Sequence, residues 1–310
     1  MDKIKEAIRK LGYPDGDRYD LPSSAKAFPD GAHYRIEISG IERLANLQAM
    51  VNESEKRSVP VHRLIAMVGG PAQIPFEEIR DMAQLAAEKK YEVMVNVSTV
   101  RGWDNGRFPA TEEGIWAGLT VRGMDSAYWL LKDMERLIEA GMRGFLLFDQ
   151  GMIRLVRDLV AAGVFPSDIK IKASVVAGCG TPMLATLLRD NGADTINPVA
   201  DVTLPQLAAM RQVLDIPLDV YMTIVDSMGG MHRYHEAAEL VRVGAPLYFK
   251  FEPGRKEAEI YKEWTDVDYQ NFLCREKIKQ AQCTNEWIER FNPNLKLSAP
   301  GPADLVLCQP

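Results

Sequence analysis

Lys250 and Glu252 stand two residues apart in Leu247-Tyr-Phe-Lys-Phe-Glu-Pro-Gly254, a run that alternates apolar with polar residues until proline and glycine stop it. Side chains of a strand point to opposite faces in turn, so Tyr248, Lys250 and Glu252 share one face and Leu247, Phe249 and Phe251 the other. An ammonium and a carboxylate on the face opposite an apolar one suit acid-base or oxyanion chemistry at a strand end. The same parity applied along the chain collects further inward candidates: Arg35, Glu37 and Ser39; Asn96 and Ser98; Asp149 and Gln150; Lys172 and Ser174; Thr195 and Asn197; Tyr221 and Thr223. An interior filled for stability alone would carry Val, Ile and Leu at such positions.

The chemistry open to this set is limited. Glu37 and Glu252, from strands expected to be neighbours, would split into an acid and a base if close, or share a divalent cation. Asp149 ends another strand and joins them as a candidate catalytic carboxylate. Lys172 and Lys250 would donate to a substrate carboxylate or a developing oxyanion, or form an imine if desolvation lowered their pKa. Arg35, Asn96, Arg101, Arg107, Asn197 and Tyr221 are the expected substrate-holding residues. His232 and His235, half of the four histidines, form a His-x-x-His pair that Glu252 would complete as a site for Zn, Mn or Mg. His33 and His62 start their strands and read as structural. The plainer reading of the charges is packing, with Arg35 paired to Glu252 and Lys172 to Glu37. Gly178-Cys-Gly-Thr181 has the form of a small anion nest, and Cys179 is a candidate nucleophile only if a base stands beside it.

The elements that must position these residues repeat in a beat. Strand-like runs at 33–39, 61–68, 91–100, 144–148, 169–176, 194–198, 218–224 and 247–252 alternate with helix-like runs at 42–57, 76–90, 125–140, 152–162, 182–191, 204–214, 235–243 and 256–264. That pattern predicts an α/β fold, a (β/α)8 TIM-type barrel whose active site lies at the carboxyl ends of the strands. Residues 1–30 are the N-terminal lead-in, 31–264 the barrel, and 265–310 a helical C-terminal extension and tail. The connection 101–123 holds Trp103, Arg107, Phe108, Trp116 and Arg122, and its length suits a lid over an anionic or planar substrate.

Composition narrows the partners. In 310 residues, 37 basic against 43 acidic side chains give a net charge of -6, which disfavours nucleic acid and acidic membrane surfaces. The four cysteines lack paired spacing and the first residues lack a signal-peptide core, so a reducing cytoplasm and free thiols are expected. No apolar run reaches the roughly 18 residues a membrane span needs.

The segment Phe249-Lys-Phe-Glu-Pro-Gly-Arg-Lys-Glu-Ala-Glu-Ile-Tyr261 resembles the Lys-x-Glu-Gly-Arg motif and following helix of the U32 collagenase-like peptidase family. Gly192-Ala-Asp-Thr-Ile and the run from Leu204-Pro-Gln-Leu to Ile216-Pro-Leu-Asp-Val-Tyr221 are similar to its sixth and seventh strand units. The resemblance implies a TIM-like barrel, a peptidase label and, in some branches, base or quinone-precursor hydroxylation on a cysteine-held iron-sulfur cluster. Here Pro253 interrupts the motif and Thr223-Ile-Val-Asp-Ser-Met-Gly-Gly replaces the family's His-Gly and cysteine cluster, so no iron-sulfur cluster is expected. The leading expectation is a hydrolase that cleaves a C-N bond in a small polar, anionic substrate, with a divalent metal in play. The alternatives are a metal-free lyase or isomerase using Lys172 or Lys250, and a non-catalytic binding subunit that forms a homo-oligomer through the C-terminal extension.

Overall fold

The protein is described by a computed structural model covering residues 2–97, 111, 120–262 and 266–310. Eight parallel strands, each paired with its neighbours in chain order, close into one barrel: β1 (Tyr34–Ile41), β2 (Arg63–Ala66), β3 (Glu92–Asn96), β4 (Gly144–Leu147), β5 (Lys170–Ala173), β6 (Thr195–Ile196), β7 (Leu218–Thr223) and β8 (Leu247–Phe251). The helices are α1 (Lys3–Lys10), α2 (Leu44–Arg57), α3 (Phe76–Glu88), α4 (Met124–Glu139), α5 (Gln150–Ala161), α6 (Pro182–Asp190), α7 (Leu204–Val213), α8 (Ala237–Gly244), α9 (Glu257–Ile260) and α10 (Val267–Phe291). The (β/α)8 expectation is met; β1 runs on to Ile41, and the other strands are shorter than the runs that announced them.

The two strand faces do different work. Outward residues such as Ile36, Val95, Phe145, Ile171, Val220 and Phe249 join the helices in one continuous apolar core. Inside, Ile65, Met94 and Leu146 from β2, β3 and β4 make a short apolar wall. The opposite interior wall is polar and charged, and every one of Glu37, Lys172, Asp219, Tyr221 and Lys250 is buried.

Helix ends follow local chemistry. Thr181 caps α6 with Pro182 in the first turn, and at α7 Thr203 and Gln206 cap each other's backbone. Among the described residues of the run expected to be the eighth barrel helix, the helix is the single turn α9. It is α10 that packs on α2 along its length and on α8, the place in the helical ring that follows β8. Its burial of Leu273, Cys274, Ile278, Ala281 and Ile288 explains why a helix so rich in charge holds there.

The tail after α10 covers the amino-terminal end of the barrel. His33 N donates to Lys296 O at 2.7 Å, Ser298 N to Tyr34 O at 3.1 Å, and Gln309 N to Gly141 O at 2.7 Å. Val306 N donates to Glu92 Oε1 at 3.1 Å. Among the described residues, no helix is long and apolar enough to cross a membrane.

Candidate active site

The polar half of the interior is stacked in two tiers. The lower is an ion network. Lys172 Nζ donates to both oxygens of Glu37, at 2.6 and 2.7 Å, and reaches Asp219 Oδ2 at 2.9 Å. Arg63 Nη1 lies 3.0 Å from Asp219 Oδ1 and 3.3 Å from Glu37 Oε2, while its Nε donates to Glu92 Oε2 at 2.6 Å. Its guanidinium sits 3.6 Å from the Tyr248 ring centroid. Thr195 Oγ1 donates to Asp219 at 2.7 Å. Lys172, Glu37 and Asp219 have no exposed side-chain surface, so every charge here is met by another rather than by water. Burial alone would push the Glu37 carboxyl up, but Lys172, Arg63 and Lys250 outweigh it and hold it below the usual range. At Asp219 burial prevails over Lys172 and Arg63 and raises the carboxyl. Burial likewise lowers the Lys172 ammonium against the pull of Asp219 and Glu37.

The upper tier lies toward the carboxyl ends of β7 and β8. Lys250 Nζ donates to the Tyr221 hydroxyl at 2.7 Å and pairs with Glu252 Oε2 at 3.0 Å, and Tyr221 donates to the same Glu252 oxygen at 3.2 Å. The hydroxyls of Tyr261 and Ser39 lie 3.3 Å from each other, and both favour the ionised form of Glu252. Burial lowers the Lys250 ammonium, but Glu252, Tyr221 and Glu37 more than reverse it, so Lys250 stays a cation. Burial, reinforced by Glu252, raises the Tyr221 phenol and keeps it protonated. Burial also lifts Glu252, yet Lys250 and the Tyr261 hydroxyl bring it below the usual carboxylate range. The tier is thus an ammonium and two neutral phenols organised around one carboxylate.

Elements from across the chain hold that tier in place. The register between β7 and β8 shifts between Tyr221 and Thr223, and that between β1 and β2 shifts between Ile38 and Ile41. Such irregularities re-aim side chains at barrel rims. In the second of them Gly40 has φ +73°, and a Cβ there would meet Lys277 Nζ at 2.8 Å. Lys277, from α10, donates to Ser39 O at 2.5 Å, and Thr223 Oγ1 donates to Gln280 Oε1 at 2.8 Å. Ile224, Val225, Ile260 and Leu273 pack around Tyr221 and Tyr261, with Val68, Val175, Ala200 and Met231 against them. Apolar residues following five different strands therefore rim the tier and shield it from water.

Several expected site residues are placed elsewhere. Glu37 and Glu252 do not form a carboxylate pair: the register sets Glu37 opposite Lys250, and each glutamate has its own lysine. Lys172 pairs with Glu37, as the packing reading had it. Arg35 does not reach Glu252; it lies at the amino-terminal end, bidentate to Asp304 at 2.6 and 2.8 Å and 3.9 Å from the Phe28 ring centroid. Asp149 caps α5 by accepting from Met152 N at 2.9 Å, and its other oxygen accepts from Val121 N at 2.9 Å, which commits both oxygens to backbone. His232 and His235 are exposed, and the His235 ring packs edge-on against Trp287 at 4.7 Å. Among the described residues no group of three His, Cys, Asp or Glu side chains converges to hold a metal ion, so the trio with Glu252 is not assembled. Cys179 is fully buried and burial pushes its thiol up to about 12, the opposite of an activated nucleophile. His62 is structural, accepting from Ile36 N at 3.1 Å and lying 3.0 Å from Ser298 O. Arg101 and Arg107, with Ser98, Trp103 and Trp116, lie outside the described residues. Asn96, Asn197 and Tyr221 do face the interior, and Arg63, Asp219 and Tyr261 join it unannounced. Parity over 218–224 already put Asp219 with Tyr221; Tyr261, past the end of its strand, carried no such signal.

No protein-family model matches the chain, and no curated protein matches it either. Solved structures do. A putative fructose-1,6-bisphosphate aldolase from Coccidioides immitis aligns over 84% of this chain and 93% of its own at 11% identity and a TM-score of 0.51. A U32 peptidase aligns over 76% of this chain and 98% of its own, at 14% identity and a TM-score of 0.45. An aldolase from Escherichia coli K12 aligns over 83% and 90%, at 12% identity and a TM-score of 0.44. At such identities the likeness concerns the fold alone, and what it establishes is a TIM-type (β/α)8 barrel.

Proposed function

We propose that the upper tier is the active site of a lyase or isomerase that stabilises an enolate-like oxyanion on a small polar carbonyl substrate. The observation that carries this reading is Lys250 Nζ, buried at the carboxyl-terminal end of the barrel, 2.7 Å from the Tyr221 hydroxyl and 3.0 Å from Glu252. A cation and neutral phenols fixed in a water-poor site are suited to charge that develops on a substrate oxygen, because they need no reorganisation when it appears. Lys250 would receive that oxygen; Glu252, the one ionised acceptor of the tier, would take the proton that leaves the substrate; and Tyr221 would donate or return a proton at the oxygen. Hydrolysis finds less support: Glu37 is paired to Lys172 and Glu252 to Lys250, so the two carboxylates are not set together as an acid and a base on one water.

The imine form of lyase chemistry would need Lys250 to surrender its proton to Glu252, against the direction in which both are shifted. The reading is tested by incubating the protein in deuterated water with a panel of 2-oxo acids, ketoses and hydroxy acids and following exchange at the carbon next to the carbonyl by NMR. Exchange is expected, slowed roughly 100-fold or more in Lys250→Met and less in Tyr221→Phe. A borohydride-trapped adduct at Lys250 would replace the oxyanion role by an imine. If Lys250→Met leaves exchange and turnover unaltered, the upper tier is structural and the barrel is better read as a binding subunit.

A further inference from the structure

Among the described residues, two amide oxygens in the barrel interior lack a partner. Asn96 ends β3 and shares the parity of Met94 on the interior apolar wall; Asn197 follows β6 and shares that of Thr195, which bonds Asp219. Asn96 Nδ2 donates to Val68 O at 3.0 Å, and Asn197 Nδ2 donates to Asp219 O at 2.7 Å. A backbone carbonyl only accepts, so these bonds fix which end of each amide is nitrogen and turn each Oδ1 the other way. Both Oδ1 atoms are enclosed, and neither has a hydrogen-bond partner among the described residues. Buried acceptors nearly always find a donor, since leaving one unmet forfeits its hydration. Val68, which holds Asn96, also packs on the Tyr221 and Tyr261 cluster, and the Asp219 carbonyl that holds Asn197 lies two residues before Tyr221. Through these two backbone carbonyls, the unmet acceptors are tied to the elements that carry the Lys250 tier.

We propose that the substrate is a polyhydroxylated carbonyl or carboxylate compound, of the sugar-acid or ketose type, whose hydroxyl groups donate to Asn96 Oδ1 and Asn197 Oδ1 while its carbonyl or carboxylate oxygen meets Lys250. The inference rests on the reading of Lys250 as the group that meets the reacting end. An acceptor demands a donor, which excludes phosphate or a second carboxylate at these two positions. A substrate ammonium would donate as well, but a buried cation needs an opposing carboxylate. Glu252 is already taken up by Lys250 and Tyr221. Hydroxyls are neutral donors and fit.

Calorimetric binding of D-gluconate, D-galactonate, D-mannonate, hexanoate and 6-aminohexanoate to the full-length protein tests this without any variant. At least one aldonate is expected to bind roughly 100-fold more tightly than hexanoate, two hydroxyl contacts at about tenfold each. No aldonate exceeding hexanoate, or 6-aminohexanoate exceeding every aldonate, overturns the proposal. Asn96→Ala and Asn197→Ala are each expected to narrow the aldonate-to-hexanoate ratio roughly tenfold while hexanoate binding stays within about twofold. Asn96→Ser and Asn197→Ser, which keep a donor for the carbonyl, serve where an alanine variant loses its melting transition. An unchanged ratio in folded variants overturns the assignment of these residues. Lys250→Met separates the two claims, because it should weaken aldonates and hexanoate equally. If the Asn variants narrow the ratio and Lys250→Met weakens neither acid, the hydroxyl contacts stand and the role of Lys250 falls.

Discussion

Replacing Lys172 by Met removes the centre of the lower ion network and shows whether that network is structural. Lys172 bonds both Glu37 oxygens at 2.6 and 2.7 Å and Asp219 at 2.9 Å, with no exposed surface. Without it the two carboxylates keep only Arg63, at 3.3 and 3.0 Å, and Asp219 keeps the Thr195 hydroxyl. Breaking a buried ion pair by removing one partner costs roughly 3–5 kcal/mol, and because Arg63 remains we expect about 3 kcal/mol at pH 8. The loss should shrink toward pH 5. With one cation for two buried carboxylates, a carboxyl is raised above its unfolded value, and stability from a raised group is present at low pH and lost as pH rises through the folded pKa. Removing the stranded charge as well, in Lys172→Met/Glu37→Gln, should recover part of the loss and show a coupling of about 1–3 kcal/mol. Urea unfolding of the wild type, both single variants and the double variant at pH 5 and 8 measures all of these. Lys172→Met within about 1 kcal/mol of wild type at pH 8, or strict additivity in the cycle, would refute the account of this network as a set of mutually dependent charges.

The other predictions concern the two ends of the barrel and a thiol. Burial pushes the His62 imidazole down to about 4 from its usual 6.5, so stability should be complete above pH 6.5 and fall by up to about 3 kcal/mol as the pH drops to 4. Urea midpoints against pH should flatten over that window in His62→Asn, and an unchanged slope would remove His62 as the cause. Arg35→Ala should free the C-terminal tail from Asp304 and cost about 1–3 kcal/mol, since the half-exposed Asp304 can turn to water. Trypsin cleavage at Lys296 should then run ahead of global unfolding, and an unaltered rate there would mean the backbone bonds hold the tail unaided. Cys179, enclosed and with its thiol raised to about 12, should react with iodoacetamide far more slowly than the half-buried Cys283. Peptide mapping after timed alkylation reads the order, and early labelling of Cys179 would contradict its burial.

The chain's sequence by itself determined the fold class and which side chains share a strand face. Both are local properties: an apolar beat of strand and helix forces a two-layer α/β closure, and alternation puts Lys250 with Glu252, Tyr221 with Asp219, and Asn96 with Met94. Height along the barrel axis and the partners across it were decided only by tertiary structure. They depend on the stagger between strands that barrel closure imposes. That stagger sets Glu37 opposite Lys250 rather than Glu252, and it leaves Arg35 at the amino-terminal end with Asp304, from a tail some 270 residues away in the chain. Parity could place Arg63 and Asp219 inside, but only closure could bring them to Glu37 and Lys172. Tyr261 enters from a turn after β8, and Lys277 and Gln280 enter from α10, which occupies the ring position after β8 because its apolar stripe fits between α2 and α8. A side chain delivered by a turn or by a distant helix has no periodicity to announce it, since its direction follows from what the element packs against.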